Sequence, residues 1–168
     1  MESGFSHCAP LNIPALEFLQ DVRNMCNAKQ CNKYGTSWSC PPACAALTEL
    51  REKVMSYTEG LLVQSVGELE DCYDWAGIMD AGKRHKENFA RLWDLLEPDY
   101  PAVFAMGAGA CSLCETCTYP DAPCRFPNRM AASMEASGLF VSKVCTDNGL
   151  KYNYGPNKIA FTSCYLLQ

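Results

Sequence analysis

The sequence CSLCETCTYPDAPCRFP, residues 111–127, places three cysteines at successive steps of three residues and a fourth cysteine seven residues later. These residues are Cys111, Cys114, Cys117 and Cys124. Three thiolates at this spacing on an irregular loop can surround one iron–sulfur cube, with the intervening backbone N–H groups free to face its sulfides. The stretch also governs the local fold, because a loop with little core of its own is stabilised by ligation. We therefore predict an iron–sulfur cluster of the [4Fe-4S] type here.

Zinc is the nearest alternative at this site, because it also binds four cysteines. Structural zinc sites usually present two close cysteine pairs separated by a dozen or more residues, and the middle thiol of a three-step run fits that arrangement poorly. In bacterial ferredoxins proline directly follows the fourth cysteine, which serves a second cluster, whereas Cys124 is followed by Arg125-Phe126-Pro127. Cys124 therefore either completes this cluster or binds elsewhere, and zinc stays open as the alternative metal.

The composition is typical of one globular domain with reduced thiols. The chain has 168 residues, 48% of them hydrophobic, which suffices for one core, so we expect a single domain over residues 1–168. Twelve cysteines would suggest disulfides in a secreted protein, but residues 1–15 lack the basic start and apolar run of a signal peptide. We therefore expect a cytoplasmic protein in which most thiols are metal ligands.

Charge and hydropathy narrow the range of partners. The formal net charge is -5 and the Lys and Arg residues are scattered, which argues against nucleic-acid binding. No apolar stretch approaches the roughly 20 residues that span a bilayer, so we expect no membrane partner. The partners that we expect are a small-molecule substrate or another redox protein.

A second group of cysteines lies in CNAKQCNKYGTSWSCPPAC, residues 26–44. Its members are Cys26, Cys31, Cys40 and Cys44. Their spacing matches no common ferredoxin or zinc-ribbon pattern, but four soft ligands in a short loop favour a metal. We predict a second iron–sulfur cluster, with zinc or unligated thiols as alternatives. A helix is expected to begin at Pro41-Pro42, where free N–H groups favour thiolates, and if only three cysteines bind, one iron is open to substrate.

Hydrophobic periodicity predicts an α+β (α/β) fold. Apolar residues at helical spacing predict helices over residues 14–26, 42–57 and 75–96, and one or two helices within residues 129–147. Apolar runs predict strands at residues 61–66 and 102–106, and a hairpin formed by residues 152–154 and 158–167. A helix between the first two strands favours parallel pairing, so we expect a mixed β-sheet covered by helices, with two cysteine-rich metal-cluster loops.

The strings CNKYGTSWSCPP and CSLCETCTYPDAPCRFPNRMAASMEASG resemble the two signatures of an uncharacterised family of predicted metal-binding proteins, domain of unknown function 2284, found largely in anaerobic bacteria and archaea. The matching positions are Cys31, Tyr34, Gly35, Trp38, Cys40, Pro41, Pro42, Cys111, Cys114, Cys117, Cys124, Arg125 and Pro127. Cys44 lies outside the pattern. The resemblance covers residues 26–138 and implies metal or cluster binding, without implying a reaction.

Basic residues near the cysteines are candidate cofactor-binding groups. Lys33 lies in the first group, and Arg125 and Arg129 follow the second; each could offset cluster charge or hold an anionic substrate, and each could equally be a solvated surface charge. His7 is a candidate non-cysteine ligand. Three further residues are expected in the core, where they would pack rather than react: His85, Cys145 and Cys164.

Together these features predict a cytoplasmic iron–sulfur protein with one or two [4Fe-4S]-type clusters that transfers electrons in an anaerobic pathway. One alternative is an enzyme whose cluster has an open iron that activates a small sulfur-containing or oxyanion substrate, oriented by Arg125 or Lys33. A further alternative is a zinc-stabilised binding module. No Ser-His-Asp set, phosphate loop or nicotinamide fingerprint is present, and the sequence leaves open whether the protein is an enzyme.

Overall fold

The computed structural model describes residues 4–27, 29 and 31–168 of the chain. Four strands lie in this part of the chain: β1 (His7–Pro10), β2 (Glu59–Glu68), β3 (Phe104–Met106) and β4 (Lys158–Leu167). The helices are α1 (Gln20–Asn24), α2 (Leu47–Met55), α3 (Trp75–Leu96) and α4 (Val141–Asp147), with a 3-10 turn at Ile13–Ala15. None of the helices in the described residues is both long and apolar enough to cross a membrane. The predicted combination of helices and one sheet is confirmed.

The strands form one sheet in the order β1-β2-β4-β3, with every neighbouring pair antiparallel. Strands β2 and β4 pair along ten residues each, from Glu59 opposite Leu167 to Glu68 opposite Lys158. The expected parallel pairing of β2 with β3 is therefore wrong, because β4 lies between them. Strand β3 has three residues and could pair with only part of β2. Strand β4 has ten residues and provides hydrogen-bond partners for the backbone of β2 along its whole length. The predicted hairpin is also wrong, since residues 152–154 form no strand.

Helix α3 has the predicted bounds and covers one face of the sheet. Asp74 caps its start, where the side chain accepts a hydrogen bond from the backbone N–H of Gly77 at 2.8 Å. The helix buries Phe89 and Trp93 against Tyr165 of β4, and the Tyr165 hydroxyl donates to the Phe89 carbonyl at 2.7 Å. The aromatic layer holds α3 beside the end of β3, which is where the 111–124 loop begins.

The opposite face of the sheet packs on the segment 131–145. Leu62, Met106 and Cys164 point to this side, and Leu139 and Cys145 cover them. Adjacent residues in each strand, such as Leu62 and Val63, belong to different clusters because side chains alternate across a sheet. The prediction that Cys145 and Cys164 lie in the core is confirmed, since neither is solvent-exposed.

Three predicted helices are shorter in the structure. Residues 14–26 contain only the 3-10 turn and α1, and residues 129–147 contain only α4. In the latter segment the backbone pairs elsewhere: the N–H of Met134 donates to the Gly107 carbonyl, and the N–H of Gly107 donates to the Ala132 carbonyl. Helix α2 begins at Leu47, because Ala46 has an extended backbone. Cys40 and Cys44 therefore lie in a turn ahead of the helix. The expectation that the helix begins at Pro41-Pro42, next to these thiols, is wrong.

Candidate metal centre

The four cysteines of the later loop surround one small cavity. This cavity has a volume of about 30 Å³, and Cys111, Cys114, Cys117 and Cys124 all line it. Trp38 and Ser39, from the first cysteine segment, line it as well. The structure thus brings the four predicted ligands of this loop to one place and closes that place with residues of the other group.

Backbone N–H groups hydrogen-bond to two of these sulfurs. Burial raises the pKa of the Cys117 thiol, but N–H groups of Tyr119, Trp38 and Thr118, together with the Arg125 charge, outweigh burial and lower the pKa overall. Hydrogen bonds to the charged form favour the thiolate, which is the form that binds metal. These groups therefore stabilise the thiolate form of Cys117 relative to the thiol.

Cys111 is deeper in the protein and behaves differently. Burial raises the pKa of its thiol, and the neighbouring Cys124 and Cys114 raise it further, although N–H groups of Leu113 and Ala131 act in the opposite direction. Mutual repulsion between neighbouring thiolates is relieved when a cation binds among them. This coupling is an electrostatic sign that Cys111, Cys114 and Cys124 lie close together.

The first group of cysteines is coupled electrostatically, as the pKa of Cys26 shows. Burial raises the pKa of the Cys26 thiol, and Cys31, Glu135, Cys40 and Cys44 raise it further. Cys31 and Cys44 are partly exposed, whereas Cys40 is buried. Cys26 is therefore close enough to the other three thiols, and to one carboxylate from the segment 131–138, for their charges to act on it. A bound cation would relieve the repulsion that this arrangement creates among ionised groups.

Arg23, at the end of α1, was not identified from the sequence. Its Nε donates to the Ala136 carbonyl at 2.6 Å and its Nη1 to the Ala45 carbonyl at 2.8 Å. Burial raises the pKa of the Cys44 thiol, and the Arg23 charge partly offsets this effect. Its one sequence signal is a position three residues before Cys26, but its partners lie 22 and 113 residues away in the chain.

The predicted basic residues lie in different surroundings. Arg125 is exposed, donates to the Thr116 carbonyl at 2.9 Å and acts on Cys117, so it lies next to the later loop's thiols. Lys33 is exposed within the first segment. Arg129 pairs with Asp94 and Glu97 and lies 4.8 Å from the ring centre of Trp93, contacts that fix α3 to the segment after the loop.

The rings of His7, the candidate non-cysteine ligand, and of Trp38 both contact tyrosine rings. His7 lies in β1 and stacks on Tyr154 with ring centres 5.2 Å apart. Trp38 lies edge-on to Tyr119 at 4.9 Å, and its Nε1 donates to the Ala122 carbonyl at 3.0 Å. Trp38 thus joins the two cysteine loops and covers the cavity between them.

The residues present fit a soft metal by the chemistry of their donor set. Each group offers four thiols, the ligands preferred by zinc and by iron–sulfur clusters. Within residues 4–27, 29 and 31–168, no set of three or more His, Cys, Asp or Glu side chains is arranged so that it could hold a metal ion. The fit therefore rests on the shared cavity, the donor set and the backbone N–H groups at the sulfurs.

The family described as "Predicted metal-binding protein (DUF2284)" matches residues 9–167 of the chain, a range that includes both cysteine groups and the whole sheet from β2 to β4. No curated protein and no solved structure matches the chain.

Proposed function

The chain belongs to this family of predicted metal-binding proteins, and from that premise we propose that it is a cytoplasmic iron–sulfur protein with one or two [4Fe-4S] clusters. A bound cluster supplies one-electron transfer, and the protein would serve an anaerobic pathway with another redox protein or a small molecule as its partner. The rest of the chain would hold the thiolates in place, limit access of water and set the charge around them.

The observation that carries the proposal is the cavity shared by Cys111, Cys114, Cys117 and Cys124. Their C-x2-C-x2-C run favours a cube over the paired knuckles of zinc. Backbone N–H groups at the sulfurs of Cys111 and Cys117 add support, since such hydrogen bonds tune cluster potentials. Arg125 would offset the negative charge of the thiolates from the exposed side of the loop.

The cysteines of residues 26–44 would hold a second cluster. Cys26, Cys31 and Cys40 would be its firm ligands, and Cys44 the weak one. The Cys44 sulfur lies 4.0 Å from the Ala136 carbonyl oxygen, a contact that a thiol makes as donor and that a thiolate ligand would have to give up. Lys33 would lie on the exposed side of this group and favour an anionic partner.

The test is anaerobic purification with iron, zinc and acid-labile sulfide counted per chain, followed by EPR of the reduced protein. We expect at least four irons and four sulfides, and a signal typical of a [4Fe-4S] cluster. Zinc at full occupancy without sulfide would overturn the proposal and leave the zinc-stabilised binding module. Response of the EPR signal to added cyanide would instead favour an enzyme with an open iron.

Single cysteine variants assign the ligands. Cys114→Ser should lose the later site, whereas Cys72→Ser, at an exposed cysteine outside both groups, should retain all metal. Cys40→Ser should remove about half of the iron, and Cys44→Ser should preserve most of it if Cys44 binds weakly. Equal losses in Cys40→Ser and Cys44→Ser would show that the first site is fully ligated, which favours electron transfer over substrate activation.

A further inference from the structure

A second cavity lies beside Cys111, between α3 and residues 107–113. Its volume is about 70 Å³. Phe89, Trp93 and Ala131 provide apolar walls, and the small residues 107–110 form the opposite side. The cavity is therefore a mostly apolar compartment next to a predicted metal ligand.

The charged residues around this cavity are basic. Among the described residues that line it, Lys86 and Arg129 are charged and none is acidic. Arg129 is already neutralised by Asp94 and Glu97, with N···O distances of 2.5 and 3.2 Å. Lys86 donates through Nζ to the Ala110 carbonyl at 3.1 Å, a neutral partner that does not balance its charge. An ammonium has two more protons to donate, so Lys86 can also bind an anion.

His85 adds a polar but uncharged wall. Its Nδ1 is hydrogen-bonded to Ser65 Oγ at 2.9 Å and its Nε2 to Ser163 Oγ at 2.7 Å. Burial, with a smaller contribution from Lys86, lowers the pKa of His85 to about 4. Both ring nitrogens are occupied, so the imidazole is neither a base nor a second cation for a ligand in the cavity.

We propose that this cavity binds a small organic monoanion, a carboxylate with a short apolar body, with its charged end on Lys86 and its body against Phe89 and Trp93. A cation would face two basic residues, and a neutral ligand would leave the Lys86 charge unbalanced in a site with apolar walls. This binding site is additional to the proposed electron transfer. Lys86, Phe89 and Trp93, which make these contacts, lie outside the proposed ligand set.

Isothermal titration calorimetry of anaerobically purified protein tests the proposal with butyrate and with its neutral isostere butanol. We expect one butyrate per chain and at least tenfold weaker binding of butanol. The Lys86→Gln variant should bind butyrate at least tenfold more weakly than the unmodified protein does. Lys83→Gln is the matched control, because Lys83 lies one turn earlier, pairs with Glu87 at 3.9 Å and does not line the cavity. The Lys83→Gln variant should bind butyrate as tightly as the unmodified protein does.

Gly107→Ala provides a second, steric test. A Cβ at Gly107 would meet the Phe89 ring at 3.8 Å, an ordinary contact, so the variant should fold while filling part of the cavity and weakening butyrate. Absence of butyrate binding at millimolar concentration, or equal affinity in Lys86→Gln, would overturn the proposal. A loss of metal in Lys86→Gln with unchanged butyrate affinity would likewise overturn it, since the charge would then serve the cysteine site.

Discussion

The backbone N–H of Cys111 donates a hydrogen bond to the side-chain oxygen of Ser39 at 3.1 Å. Ser39 is buried, and its hydroxyl also lies 3.0 Å from Ser37 Oγ and 3.9 Å from Cys40 Sγ. A thiolate can only accept, so Ser39 can donate to Cys40 when that sulfur binds metal while it accepts from Cys111. One hydroxyl thus connects the two cysteine groups, of which the first ends at Cys44 and the second begins at Cys111.

Replacement of this hydroxyl should affect both groups. In Ser39→Ala the Cys111 N–H loses its acceptor, and we expect a cost of about 1 to 3 kcal/mol in the free energy of unfolding, as for other buried donors left without a partner. Metal should also be held less firmly, because the Cys111 backbone is no longer fixed. Denaturant unfolding and metal content under limiting chelator measure the two effects.

Ser37→Ala is the matched control for that experiment. Ser37 is also buried and bonds to Ser39, but no described contact joins it to Cys111. Its loss should cost less than the loss of Ser39 and leave metal content unchanged. If the two variants behave alike, the link between Ser39 and Cys111 contributes little to the site.

Thiol reactivity should divide the twelve cysteines into three classes. Cys8 and Cys72 are exposed and should be alkylated by iodoacetamide within minutes at neutral pH. Cys164 is fully buried, its pKa is raised to about 12 by burial, and the Cys145 pKa is also raised by burial. These two should react only after unfolding.

The eight cysteines of the two groups should form the third class. They should be protected in the metal-loaded protein and should become reactive after chelation, because ligation consumes the thiolate. Peptide mapping by mass spectrometry after timed alkylation gives the rate at each site. Reaction of Cys164 as fast as Cys72 in the folded protein would contradict the described core, and unprotected group cysteines in the metal-loaded protein would contradict the ligand assignment.

Local features of the fold were predictable from the sequence, whereas long-range pairings were not. The apolar stripe of α3 and the Asp74 cap lie within one segment, so periodicity located the helix correctly. Strand β2 pairs with β4, which lies about a hundred residues later in the chain, and no local sequence pattern indicates that pairing. The cysteine spacing likewise indicated candidate ligands in each group, which stay a prediction, but it gave no sign of Arg23 or Ser39, whose contacts cross from one segment to another.

His85 should make stability depend on pH in weakly acidic solution. Burial lowers its pKa in the folded protein to about 4, below the usual value of 6.5 that it regains on unfolding. Protonation of His85 is therefore less favourable in the folded state than in the unfolded state. The contribution of neutral His85 to the free energy of unfolding is fully present above pH 6.5 and decreases as the pH falls from 6.5 towards 4. The total loss over this window is about 3 kcal/mol for such a difference in pKa.

Urea unfolding of three proteins between pH 7.5 and 4 checks this expectation. The His85→Gln variant should lack this part of the acid destabilisation, although its stability at neutral pH should be lower because the bonds to Ser65 and Ser163 are altered. His7→Gln is the control, because it removes the other histidine, which lies in β1 and stacks on Tyr154, and leaves His85 in place. It should retain the acid destabilisation that His85 causes. A His85→Gln curve parallel to that of the unmodified protein would assign the acid loss to other groups.

Gly138 should be the least replaceable glycine near the first cysteine group. Its φ is +77°, and a Cβ there would lie 2.9 Å from Leu47 Cδ2 and 3.0 Å from the Leu19 carbonyl oxygen. The Gly138 carbonyl accepts from the Leu19 N–H at 2.8 Å, and its own N–H donates to the Glu135 carbonyl at 2.9 Å. The turn therefore fixes the segment that carries the neighbours of Cys26 and Cys44.

Comparison of Gly138→Ala with Gly149→Ala separates backbone strain from crowding. Gly149 has a φ of +75° but open space around its Cα, so its replacement should cost only about 1 to 2 kcal/mol for the left-handed backbone. Gly138→Ala should cost about 1 to 3 kcal/mol more from overpacking, and it should lower metal retention because the segment 131–138 must shift. Urea midpoints and metal content of the two variants measure both effects. Equal midpoints and equal metal content would show that Leu19 and Leu47 yield without disturbing the first cysteine group.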